Sequence, residues 1–229
     1  FSPDGKRIAT GGYDGVAKIW NTETGKETNA LKGHKGSITA VSFSPDGKII
    51  ASSSTDRTTI TWDISTGSQK IRLADSDMVF SVAFSPDGNR IATGNRSNTV
   101  KIWDADNGRE IFMLGHEDGI TSVAFSPDSK RILTGSWDKT AKIWDADTRR
   151  EIITLKEHAS GVTAAAFSQD GNRIVTGSRD NTAKIWDADT GREVITLRGH
   201  SDYVTCVAFS PDGNRIATGS DDGTAKVWD

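Results

Sequence analysis

Six tryptophans, Trp20, Trp62, Trp103, Trp144, Trp186 and Trp228, recur at intervals of 42, 41, 41, 42 and 42 residues along a chain of 229. A fixed period of this length marks an array in which one supersecondary unit is repeated and each copy buries the face of the next. The copies are close. Phe167–Asp187 (FSQDGNRIVTGSRDNTAKIWD) and Phe209–Asp229 (FSPDGNRIATGSDDGTAKVWD) are identical at 16 of 21 positions, as a recent duplication leaves them. The period runs through the whole chain and no shift of composition breaks it, so one repeat domain over residues 1–229 is expected.

Within each unit the apolar residues fall in short runs enriched in β-branched and aromatic types, interrupted by turn signals every 8 to 12 residues, which leaves no room for helices. Around Ile120 a first run, GITSVAF, ends at Phe125, and Ser126-Pro127-Asp128-Ser129 reads as a type I turn with proline at its second position. A second run, RILTGS, reaches Ser136, Trp137-Asp138-Lys139 turns the chain, and TAKIW closes a third run at Trp144. After a turn over Asp145 to Arg149, REIITL completes the unit at Leu155, ahead of the Glu157-His158 loop. Four short antiparallel strands with two apolar faces are not stable alone. Radial stacking of such sheets as blades covers those faces and leaves only short edges.

Gly33-His34, Gly115-His116 and Gly199-His200, followed by Trp62-Asp63, Trp144-Asp145 and Trp228-Asp229, resemble the WD-repeat β-propeller family over the entire chain. The resemblance implies an all-β fold of four-stranded antiparallel blades. In phase with Phe209, Phe1 ends a first strand, and Asp229 follows a third. The reading is therefore about five and a half blades, incomplete at both ends, a fragment of a six-bladed or, as is usual in the family, seven-bladed ring. Unclosed ends of this kind predict self-association through exposed edges.

A histidine stands nine residues before the first-strand phenylalanine at His34, His116, His158 and His200, and these are all the histidines present. An aspartate lies six before the tryptophan at Asp14, Asp56, Asp138, Asp180 and Asp222, and a hydroxyl ten before it at Thr10, Ser52, Thr93, Thr134, Thr176 and Thr218. Nucleophile, base and carboxylate in one unit suggest a Ser/His/Asp hydrolase. Repetition of the set in four units suits a structural network instead, because a hydrolase needs one exposed nucleophile beside an oxyanion hole. By resemblance to the family these residues form tetrads, His34/Ser52/Asp56/Trp62, His116/Thr134/Asp138/Trp144, His158/Thr176/Asp180/Trp186 and His200/Thr218/Asp222/Trp228, that tie the inter-blade loop to the inner strands. The third unit has Asp75 for the histidine and Ser97 for the aspartate, so both partners are lost together and that blade should be the loosest.

Lysine plus arginine number 28 against 31 aspartate plus glutamate, a net charge of −3 that lacks the basic field of non-specific nucleic-acid binding. No apolar run is long enough for a membrane span. A single cysteine, Cys206, excludes an intrachain disulfide framework and reads as a small buried residue inside a strand, and nothing at the N-terminus reads as a signal peptide, which points to the cytoplasm. One histidine per unit puts the imidazoles too far apart to share a metal, and no phosphate-binding or dinucleotide motif occurs, so no catalytic, metal or cofactor residue is assigned. The Asn95-Arg96-Ser97 sequon is read as incidental.

The expected function is a non-enzymatic scaffold that binds a protein or peptide, alone or as the sensor part of a larger protein. The alternatives are an enzyme domain with a site in the central channel and a self-assembling architectural repeat. Where near-identical repeats differ points to the binding face. The residue before the repeated aspartate is Tyr13, Thr55, Arg96, Trp137, Arg179 and Asp221 in turn. Trp137 is the only tryptophan outside the framework, and Trp and Arg are the commonest interface hot spots. Arg96, Trp137, Lys139 and Arg179 are therefore expected to receive an acidic or phosphorylated segment, with Tyr13, Met78 and Tyr203 adding contact on the same face.

Overall fold

The computed structural model describes residues 1–229 and contains strands and turns but no helix. The chain divides into two compact units, Phe1–Leu114 and Gly115–Asp229. Every strand pairs with its neighbours in sequence, as antiparallel strands joined by short turns do.

The first unit holds three sheets. The first has three strands, β1 (Arg7–Gly11), β2 (Val16–Asn21) and β3 (Glu27–Lys32). The second is β4 (Ile38–Phe43), β5 (Ile49–Ser54), β6 (Thr58–Asp63) and β7 (Gln69–Ala74), and the third is β8 (Val79–Phe84), β9 (Arg90–Asn95), β10 (Thr99–Asp104) and β11 (Glu110–Gly115). The first strand of one sheet packs against the strands before it, β4 on β1 and β8 on β4 and β5. Between the first two sheets Ala17, Ile19, Leu31, Ile50, Ile60, Trp62 and Ile64 close a core, and between the second and third Ala51, Leu73, Val82, Ile91 and Trp103 do so.

The second unit repeats the plan. It has β12 (Ile120–Phe125), β13 (Arg131–Ser136), β14 (Ala141–Asp145) and β15 (Glu151–Leu155), then β16 (Val162–Phe167), β17 (Arg173–Ser178), β18 (Thr182–Asp187) and β19 (Glu193–Arg198). Its last sheet is β20 (Val204–Phe209), β21 (Ile216–Ser220) and β22 (Ala225–Trp228). The strand count of each sheet, three or four, is the one the sequence implies. The third run reaches one residue further than the apolar pattern, to Asp145, because Arg131 on the neighbouring strand pairs with it.

Burial explains the residue pattern of each strand. The second strand lies inside its sheet and against the next, so β13 and β17 are buried at five successive positions. The fourth strand is outermost, and Met113, Ile152, Val194 and Ile195 stay exposed. The first strand carries a bulge at a fixed place, as between Ile120 and Ser122 and between Val162 and Ala164. The bulged threonine turns outward to the next sheet. The Thr39 hydroxyl donates to the Val79 carbonyl at 2.5 Å and Thr121 donates to Val162 at 2.8 Å.

The Ser-Pro-Asp-Gly turns are self-contained. The Ser44 hydroxyl donates to Asp46 at 2.6 Å and accepts from the Ile49 amide at 2.9 Å, and Gly47 takes φ 68°. Ser129 occupies the same left-handed position at φ 63°, a conformation that costs a non-glycine residue about 1 kcal/mol.

Candidate partner-binding site

The rigid frame of each blade is a chain of polar side chains closed against water. In the fourth blade the Trp144 indole donates to the Thr134 hydroxyl at 2.9 Å, Thr134 lies 2.7 Å from His116 Nε2, and His116 Nδ1 lies 2.8 Å from Asp138. An ionised carboxylate only accepts and an indole only donates. This places the imidazole proton on Nδ1 and lets the threonine hydroxyl donate to Nε2. The same bonds join Trp186, Thr176, His158 and Asp180, Trp228, Thr218, His200 and Asp222, and, with Ser52 as the hydroxyl, Trp62, His34 and Asp56. The four imidazoles are 0 to 2% exposed, and each stands edge-on to its tryptophan ring. Gly33 of the Gly-His pair leaves room for this stacking, because a Cβ there would come within 2.8 Å of the Trp62 ring.

The aspartate completes the frame. Burial works to raise the pKa of Asp138, but hydrogen bonds from His116, Thr140 and the Glu117 amide outweigh it and hold the carboxyl well below the usual range. The same balance acts on Asp180, and it brings Asp56 to about 2. Asp222 is lowered chiefly by the Thr224 hydroxyl and His200. No hydroxyl here is an exposed nucleophile, since Ser52, Thr134 and Thr176 are 0% exposed and spend their oxygens on this chain.

In the third blade the sequence reading needs correction. Its polar frame is rebuilt, not lost. Asp75 accepts from Thr93 at 3.1 Å and from the Asn95 amide at 2.6 Å, while Trp103 still donates to Thr93 at 2.9 Å and Lys101 approaches Asp75 at 3.8 Å. One carboxylate with an asparagine and a lysine thus replaces the His–Asp pair, and Ser97 bonds instead to Asp77. Asn95, the residue of the sequon, is 0% exposed. Cys206 is also corrected. It is exposed on β20, the first strand of the last sheet.

A second framework feature escaped the sequence reading although it is periodic. Lys18, Lys101, Lys142 and Lys184, two residues before the tryptophan, stand over its ring and pair with Glu27, Glu110, Glu151 and Glu193 of the next strand at 2.5 to 3.2 Å. In the second blade Ile60 and Gln69 replace that pair, and Arg72 bonds to Thr58, Gln69 and the Gly33 carbonyl instead.

The variable turn residues divide between the units. In the first, Tyr13 is 96% exposed, and Arg96, also exposed, donates its amide to the Met78 carbonyl at 2.9 Å. In the second, Trp137, Arg179 and Tyr203 come together. The Arg179 guanidinium stands 5.3 Å from the Trp137 ring centroid and 5.8 Å from that of Tyr203. Gly161 lets the backbone lie against Trp137, with the site of its missing Cβ 3.2 Å from Trp137 Cα. Arg179 is exposed, makes no ion pair and donates no side-chain hydrogen bond, so the rings hold the cation in place while its N–H edges face water. Lys139, in the Trp137 turn, is exposed at φ 73°.

Six antiparallel sheets, each with its tryptophan bonded to a hydroxyl ten residues before it, define a β-repeat protein. The family described as "WD domain, G-beta repeat" matches residues 1–21, 25–63, 67–104, 108–145, 149–187 and 191–229, and the chain belongs to this family. It is similar to the Periodic tryptophan protein 2 homolog of Dictyostelium discoideum, 51% identical over 43 residues, 19% of this chain and 5% of that protein. It is also similar to the Dynein assembly factor with WD repeat domains 1 of Danio rerio and of Xenopus laevis, 40% and 37% identical over 43 residues, again 19% of this chain and 10% of each relative. The matched segment is thus about one repeat. WD repeats suggest a protein-interaction scaffold. No helix is long and apolar enough to cross a membrane.

Proposed function

We propose that this protein is a non-enzymatic scaffold that captures an acidic or phosphorylated segment of a protein partner through Trp137, Arg179 and Tyr203, with Lys139 beside them. The observation that carries the reading is the Arg179 guanidinium held over two aromatic rings with its donors unspent. A guanidinium fixed in this way loses little side-chain freedom on binding, and its planar edge matches a carboxylate or phosphate bidentately. Tyr13 in the first unit, and Arg96 with Met78, are further contacts by the same logic of exposed, variable turns. The family and the relatives' names support interaction as the role and leave the partner's chemistry to these side chains.

The test is calorimetric titration of the full chain with an acidic peptide and with its phosphoserine counterpart. Changing Trp137 and Arg179 to alanine together should weaken binding by about thirtyfold, the scale of an interface hot spot, with the melting temperature nearly unchanged. Binding that survives this change, or is lost instead on altering the turn from Asp147 to Arg150, refutes the assignment.

A further inference from the structure

One repeated position departs in the second blade alone. Thirteen residues before the tryptophan stand Arg7, Arg90, Arg131, Arg173 and Arg215, but Ile49 in the second repeat. Within each unit this arginine reaches into the following blade. Arg7 donates to the Gly47 carbonyl at 2.9 Å and stands 5.9 Å from the Phe43 centroid, and Arg173 donates to Gly213 at 2.6 Å and stands 5.6 Å from Phe209. Arg131 has the fullest set, with the Gly171 carbonyl at 2.7 Å, the Ala188 carbonyl at 3.3 Å, the Asp189 carboxylate at 3.0 Å and the Phe167 ring at 5.4 Å. Each blade interface of this kind is thus built to hold one guanidinium.

Where Ile49 stands, the receptor is present and the arginine is not. A cavity of about 390 Å³ opens between the second and third blades, lined by Ile49, Phe84, Gly88, Ala105 and Asp106 among others. The last four are the counterparts, each 83 residues earlier, of Phe167, Gly171, Ala188 and Asp189. The Gly88 and Ala105 carbonyls and the Asp106 carboxylate take no hydrogen bond. Burial agrees. Gly47, Gly171 and Gly213 are buried beneath their arginine and Gly88 is half-exposed, while Ala188 is 1% exposed and Ala105 is half-buried. A Cβ on Gly47, Gly171 or Gly213 would meet arginine Nη2 at 3.1 to 3.5 Å, whereas one on Gly88 would find only Pro45 at 4.0 Å. The wall is acidic, with Asp46, Asp63, Asp87 and Asp106 against Lys48 and Lys70.

We infer that this cavity binds a guanidinium group carried by an arginine side chain of a polypeptide partner. The Phe84 ring takes the cation's face, Gly88 accepts from one terminal nitrogen, and Ala105 and Asp106 accept from the other, as the sibling site holds Arg131. An ammonium cannot match this set, because a compact point charge does not span acceptors spaced for a planar fork. A polypeptide is the fitting source because every filled sibling site receives the side chain of an arginine that begins an extended strand, Arg7 in β1, Arg131 in β13 and Arg173 in β17. The site shares no residue with the Trp137, Arg179 and Tyr203 cluster, so either assignment can fail without the other.

The experiment is amide chemical-shift mapping of the isotope-labelled full chain, titrated with a capped Gly-Arg-Gly peptide, its lysine and citrulline counterparts, and free arginine. The arginine peptide should shift Gly88, Ala105 and Asp106, with the lysine and citrulline peptides at least about tenfold weaker, since citrulline lacks the charge and lysine the planar fork of donors. Asp106→Asn should weaken the arginine peptide about tenfold. Ile49→Arg, which supplies the guanidinium from the chain itself, should abolish the shifts. Shifts that are absent, equal for lysine or retained in Ile49→Arg overturn the site, and if that variant does not fold, an unchanged affinity in Asp106→Asn does so. Free arginine binding as tightly as the peptide overturns the polypeptide source.

Discussion

Removing the Asp138 carboxylate should reveal how much of the fourth blade's stability runs through its buried frame. Asp138 accepts from His116 at 2.8 Å, the Glu117 amide at 3.1 Å, the Thr140 amide at 2.9 Å and the Thr140 hydroxyl at 2.6 Å. It is 9% exposed and its histidine 0%, so water does not replace what is lost. A buried donor left without a partner costs about 1–3 kcal/mol, and removing the carboxylate strands the His116 ring donor together with the Thr140 amide and hydroxyl. Asp138→Ala is therefore expected to cost about 3–5 kcal/mol, a fall in melting temperature of roughly 6–20 °C. His116→Ala removes the same bond from the other side. The double variant should cost less than the sum of the two by about 1–3 kcal/mol, read from urea unfolding of the full chain by tryptophan fluorescence. Asp14→Ala serves as the internal control. Asp14 is exposed, its repeat has no histidine in this chain, and its carboxylate accepts only the Val16 amide, so the change should stay within about 0.5 kcal/mol. Additivity of the His116 and Asp138 changes within about 0.5 kcal/mol would refute the frame as a coupled unit.

Acid should act through the same carboxylates. Asp56 titrates at about 2, and Asp138, Asp180 and Asp222 lie well below their ordinary value of 3.8. Because the folded-state values are depressed, their contribution is intact above about pH 4 and is lost as pH falls through the folded values. The melting temperature should drop steeply below about pH 4, and less steeply in Asp138→Asn. Superimposable acid profiles for the two proteins would refute this. The exposed Cys206 thiol should react fully with a maleimide in the native state, and protection until denaturant is added would contradict its placement.

Much of this protein was legible because its information is repeated. A four-strand pattern read once around Ile120 applies to the four complete sheets, and its errors were confined to strand ends such as Asp145, where a cross-strand partner and not hydrophobicity sets the limit. Strictly spaced side chains were also within reach. Histidine, hydroxyl, aspartate and tryptophan meet because antiparallel pairing brings positions 10, 18 and 22 apart in sequence into contact. Missed were features that need a neighbouring blade. The arginine thirteen residues before the tryptophan is as periodic as the histidine, but only packing shows that it enters the next sheet, and so only packing turns Ile49 from a conservative-looking core residue into a vacated site.

The third repeat marks the boundary between the two kinds of information. Its sequence shows a histidine and an aspartate absent together, and strand propensity, turn chemistry and repeat period, being local, were enough to predict a blade there. Whether that blade holds an empty frame or a rebuilt one depended on which groups meet Asp75 once the sheet is folded, and Thr93 and Asn95 of β9 arrive at 3.1 and 2.6 Å and Lys101 of β10 at 3.8 Å. The sequence by itself determined the period, the strands, the turns and the positions where repeats vary, because each rests on contacts within one unit. Tertiary structure alone decided which of those positions meet, that Arg179 is held by two rings, that Cys206 is uncovered and that an arginine pocket lies open at Ile49. Those outcomes are set by side chains from neighbouring blades competing for the same space, and spacing along one strand carries no record of that competition.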